Sequence, residues 1–131
     1  MTAMMSLTPS FRTPGEVRRS AARWLREREV PSDIIEDLLL AVSELVTNAV
    51  LHGTAPIRAA LRLTTVDDIP SVVFECSDAA PILAAAYAEE GYEERGDYGR
   101  GILVVQSVTD ILGVTSSEKG KMIWVSIALA R

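Results

Sequence analysis

The sequence predicts a two-layer α/β sandwich in which about four largely antiparallel strands are covered on one face by helices. Three observations predict it. Two helical patterns with recognisable start signals open the chain, two pairs of period-two segments follow, and a glycine-bearing apolar stretch lies between the pairs. At 131 residues and 48% hydrophobic, the chain can fill one core, so a single domain over residues 11–131 is expected behind a loose N-terminal stretch, residues 1–10.

Thr13-Pro14-Gly15-Glu16 reads as a capping box with proline at the first helical position, which starts a helix running to about Glu29. Pro31 breaks the chain. Ser32 is positioned to cap a second, longer helix from Asp33 to about Leu51, with Gly53 as its stop. In 57–65, Ile57, Ala59, Leu61 and Leu63 share one face; in 71–78, Val72, Phe74, Cys76 and Asp78 do the same. Asp67-Asp68-Ile69-Pro70 is the turn between these strands. A second pair, 111–117 and 121–129, is joined across Glu118-Lys119-Gly120. Between the pairs, Pro81 can begin a helix, the middle is polar with glycines at 91, 96, 99 and 101, and Ile102 to Val108 reads as a short buried helix. On the last strand Trp124 points away from the inward face formed by Ile123, Val125, Ile127 and Leu129.

Composition excludes several functions. A net charge of −5 argues against a nucleic-acid surface, which needs a surplus of Lys and Arg. Arginines 12, 18, 19, 23, 26 and 28 lie before residue 30, and acids crowd 89–97; both runs read as solvated surface for the most part, with a docking face for a protein of opposite charge as the lesser alternative. One cysteine allows no intrachain disulfide, and with one histidine it gives neither a zinc constellation nor a nucleophile motif. With no leader-like start and no apolar run of membrane-spanning length, a cytoplasmic protein without membrane attachment is expected.

SELVTNAVLHG (43–53) breaks the apolar pattern of the long helix at Glu44, Asn48 and His52. On a helical wheel with Glu44 at zero, Ile35, Leu38, Leu39, Val42, Leu45, Val46, Ala49 and Val50 fall between about 100° and 240°. Asp37, Glu44, Asn48 and His52 fall within about 80° of zero and form one polar edge beside that stripe. Such an edge lines a cleft. An amide oxygen can hold a hard cation, and a carboxylate one turn away can take a proton from a hydroxyl. His52 is placed as well to cap the helix end as to touch a ligand.

SELVTNAVLHG resembles the first nucleotide-binding box of the gyrase, chaperone, histidine-kinase and mismatch-repair ATPases, and it looks most like that of the bacterial anti-sigma-factor serine kinases. Two further boxes follow in order. SDAAP (77–81) resembles the box whose aspartate, here Asp78, receives the adenine amino group, and GRGILVVQSVTD (99–110) resembles the glycine-rich box whose amides hold phosphates, here Gly99, Arg100 and Gly101. GKMIWVSIAL (120–129) resembles the closing strand of that domain. The resemblance implies the Bergerat ATP-binding fold, ATP and Mg2+ as cofactors, Glu44 as general base, Asn48 as magnesium ligand, His52 near the nucleotide, and a lid over 82–98. Ala80 stands where that family has glycine and Met122 where it has threonine, so the adenine end is expected to lack a hydrogen bond worth about 1 kcal/mol and to bind ATP weakly.

The implied function is a regulatory kinase that sequesters a sigma factor and phosphorylates a serine or threonine of an antagonist protein, commonly as a homodimer. The alternative is a binding module of the same fold in which ATP is structural or absent. A histidine-kinase role is remote, because the one histidine, His52, lies inside the nucleotide box.

Overall fold

A computed structural model of the chain describes residues 3–6, 13–80 and 97–130, of which 97–100 are described by their backbone. The elements are β1 (Ala3–Ser6), α1 (Pro14–Glu27), α2 (Ser32–His52), β2 (Arg58–Val66), β3 (Ile69–Asp78), α3 (Asp97–Val108), β4 (Ile111–Ser117) and β5 (Gly120–Ala128). The five strands form one antiparallel sheet in the order β1-β2-β3-β5-β4. The predicted sandwich is therefore correct, with one strand more than expected. That strand comes from the stretch read as a loose end: Ala3 to Ser6 pair with Leu63 to Ala60 and cover the edge of β2. Four residues are too few to give a periodic signal.

Capping behaves as predicted for α1, where the Thr13 Oγ1 accepts from the Glu16 amide at 3.1 Å. The helix ends in a Schellman arrangement: the Val30 amide bonds the Leu25 carbonyl, the Glu29 amide bonds that of Arg26, and Glu29 is left-handed at φ 57°. At α2 the expectation fails. Ser32 is already helical, Pro31 takes the cap position, and no side chain caps the helix. Gly53 does stop α2, at φ −87° and ψ −179°; clearance, described below, is what requires a glycine there.

The β2–β3 turn is tighter than predicted. Asp67 and Asp68, both with positive φ, make the two-residue connection, and Ile69 and Pro70 already pair as strand. α2 lies against the central strands β3 and β5, and α1 and α3 each pack on α2. The core between the layers contains Phe74, Leu61, Val125, Ile127, Leu38, Leu45, Val46 and Ile102, each contributing about 1.5–3 kcal/mol if fully buried. Val50, placed by the wheel at the border of the core arc, is exposed. The buried sector is instead shifted toward Ala41 and Asn48, the side on which α3 packs. Trp124 is half-buried on the open face of the sheet, its ring lying over Gly113, where a β-carbon would come within 2.3 Å of it.

Candidate functional site

The long helix provides the first part of the site. Glu44 is half-buried, Asn48 is 7% exposed, and the Asn48 Nδ2 has no hydrogen-bond partner among the described residues. An unpaired buried amide is costly, so this atom marks a place that a polar ligand can satisfy. Above it lies α3. A β-carbon on Gly101 would meet the Glu44 Oε2 at 2.8 Å and the Asn48 Nδ2 at 3.5 Å, so the glycine lets the backbone of α3 come down onto both side chains. α3 begins earlier than predicted: Gly99, Arg100 and Gly101 lie inside the helix rather than before it. Asp97 to Gly101 form the first described turn of α3, and Gly101 places that turn beside the Glu44 and Asn48 row.

The second part is at the end of β3, one turn beyond Asn48. Asp78 faces inward and is 7% exposed, as its parity with Phe74 and Cys76 requires. Its Oδ1 accepts from the Ala80 amide at 2.7 Å and from the Thr54 amide at 3.4 Å. Its Oδ2 is paired with the Lys121 ammonium, and both side chains are 3% exposed. Gly53 backs this carboxylate, because a β-carbon there would lie 2.8 Å from the Asp78 Cγ and Oδ2. Cys76, one strand position pair earlier, keeps its proton: burial first, then the Asp78 charge, push its thiol from 9.0 up to about 12, with Lys121 acting in the opposite sense.

The structure therefore groups Glu44 and Asn48 with Gly101, and brings Asp78 next to Ala80 through the amide bond to Oδ1. Gly99 and Arg100 share the start of α3, and His52 is exposed at the end of α2. The expected lid, 82–98, lies outside the described residues except for 97 and 98, as does the helix expected from Pro81. The expectation for Met122 is corrected. It pairs with Ser77 on the open face of the sheet, in a groove of about 370 Å3 shared with Arg58, Thr115 and Lys119 and bordered also by Asp78 and Lys121. A hydroxyl at 122 would point away from Asp78. The residue opposite Asp78 in the β3–β5 register is Lys121, which sequence reasoning missed. Its signal was parity with Ile123 and Val125, since a lysine on the inward face of a strand needs a buried partner.

The model of the histidine kinase-like ATPase domain matches residues 7–127. The chain belongs to this family. Among solved structures, the RsbU and RsbW domains of Rv1364c from Mycobacterium tuberculosis superpose with a TM-score of 0.66 at 19% identity, over 98% of this chain and 32% of that one. A blue-light activated histidine kinase of Erythrobacter litoralis superposes with a TM-score of 0.58 at 19% identity, over 88% of this chain and 42% of that one. The chain thus spans less than half the length of either, and at these identities the likeness is one of fold. No curated protein matches the chain. As a histidine kinase-like ATPase domain it carries the family's nucleotide fold, and among the described residues no helix is long and apolar enough to cross a membrane.

Proposed function

We propose that this domain binds MgATP between α2, α3 and the end of β3, and uses it as an anti-sigma-factor kinase. The observation that carries the reading is the close approach of Gly101 to Glu44 and to the unpartnered Asn48 amide. It puts a carboxylate, an unpartnered amide donor and the glycine-bearing first described turn of α3 in one place, a set suited to phosphate oxygens and their magnesium ion. The residues fit the group at this end. Bound there, MgATP would supply the phosphoryl group; Asn48 would hold the metal through its amide oxygen and donate from Nδ2 to a phosphate oxygen, and Gly99, Arg100 and Gly101 would line the phosphate cradle. Glu44 takes the proton of an incoming serine or threonine hydroxyl as its oxygen bonds to the γ-phosphorus and ADP leaves. At the other end Asp78, with Ala80 beside it and Lys121 on its Oδ2, borders the place of the base, and His52 lies at the cleft margin.

The likeness to a structure containing an RsbW domain supports partners of the sigma-regulation type, a sigma factor and an antagonist protein; the homodimer and the cytoplasmic location rest on the sequence resemblance alone. A non-catalytic binding module is the second reading, and the occupied Asp78 carboxylate favours it. Labelled ATP, mixed with the protein and candidate antagonists, separates the two. Transfer of label to an antagonist hydroxyl, lost in Asn48→Ala together with magnesium-dependent binding, supports the kinase. Sigma-factor retention without any transfer supports the module.

A further inference from the structure

The acceptor oxygens of Asp78, at the base end of the site, are already partnered by the protein itself. Thr54 and Ala80 amides hold Asp78 Oδ1, Gly53 closes in on Oδ2, and the remaining strong donor on Oδ2 is Lys121. A carboxylate in this environment gains most from one more donor when it lacks a charge partner, and here it has one. A base amino group arriving at Asp78 must displace an ammonium from a buried ion pair or accept a poorer place beside it. Neither exchange yields much binding energy. The phosphate end is different, because the buried Asn48 Nδ2 has no partner among the described residues and Gly101 lets the α3 backbone come close to it.

Resting on the nucleotide-binding reading above, we propose that Lys121 takes the place of the nucleobase at Asp78, so that the site holds nucleoside triphosphates by their magnesium-phosphate end and discriminates little at the 6-position of the purine. Lys121 is then a specificity-determining residue. It lowers affinity for ATP and broadens the nucleotides accepted.

The test is calorimetric titration of the unaltered protein with MgATP and MgITP, which differ by a 6-amino and a 6-oxo group, alongside Lys121→Met and Lys121→Gln. The unaltered protein is expected to bind both nucleotides within about threefold of each other. A hydrogen bond from a base to a free carboxylate corresponds to about tenfold or more in affinity, so Lys121→Met should bind MgATP at least tenfold more tightly and prefer it over MgITP. Lys121→Gln, which keeps a neutral donor for Asp78 and so guards against a variant that fails to fold, should fall between. Magnesium tripolyphosphate should bind all three proteins alike. A tenfold or greater preference of the unaltered protein for either nucleotide overturns the inference, whatever the variants do. So does unchanged or weaker MgATP binding in both folded variants. Absence of binding of either nucleotide and of tripolyphosphate to any of the three proteins overturns the nucleotide reading itself, and this inference with it.

Discussion

Gly101 of α3 faces Glu44 of α2 at such close range that a β-carbon on the glycine would lie 2.8 Å from the carboxylate Oε2. Alanine is favoured over glycine inside a helix by about 1 kcal/mol, so this glycine opposes local propensity and is explained by clearance. The atom in the way is the far end of a flexible side chain, and it can swing aside. Gly101→Ala should therefore leave thermal stability within about 1 kcal/mol of the parent while displacing Glu44. Phosphoryl transfer is expected to fall by an order of magnitude or more, about what a small misplacement of a catalytic group costs. Thermal melts beside a transfer assay check this, and unaltered transfer would show that the contact is packing alone.

Glu44→Gln keeps the size and a hydrogen-bonding oxygen but removes the basicity. Nucleotide and sigma-factor binding should survive within about threefold, and transfer to the antagonist should drop by about 10²–10⁴-fold, the usual contribution of a general base. Equal transfer rates in the two proteins would remove Glu44 from that role.

The buried thiol of Cys76 makes stability depend on alkaline pH. Its folded value of about 12 stands above the unfolded value of 9.0, so between them the folded state binds more protons and stability falls as pH rises. At pH about 10.5 the loss from this group is about 2 kcal/mol. Cys76→Ala removes it. Urea unfolding at pH 8 and pH 10.5 should show a smaller decline for the variant than for the parent, and identical declines would refute the effect.

Glu29 occupies the left-handed position at the end of α1 with φ 57°, where a side chain costs about 1 kcal/mol relative to glycine. Glu29→Gly should raise stability by about 0.5–1 kcal/mol, partly offset by the greater freedom of the unfolded chain. Chemical denaturation measures the change in midpoint. A lower midpoint would mean that Glu29 makes a stabilising contact of its own.

The sequence was most informative where one period governs a long segment. The inward rows Ala59, Leu61, Leu63 and Val72, Phe74, Cys76 are buried as their alternation required, because a strand residue on the core side has no other favourable place. Glu44 and Asn48 stood out in the sequence as a polar edge beside the apolar stripe of α2, and Asp78 as a carboxylate on the inward face of its strand. The chain could not state its own register in advance. Alternation puts Lys121 on the inward side of β5 and Met122 on the outward side, yet only the pairing of β3 with β5 decides which inward residue meets the Asp78 carboxylate.

What the sequence by itself determined is the class of fold, most of the buried arc of α2, and the inward and outward faces of the four longer strands. These follow from periodicity, caps and turns, which act over a few residues. What only the tertiary structure decided is the fifth strand at the N-terminus, the descent of α3 onto Asn48 through Gly101, and the closure of Asp78 by Gly53 and Lys121. Each joins segments far apart in the chain, and its energy comes from burial and pairing that exist only once the layers have packed.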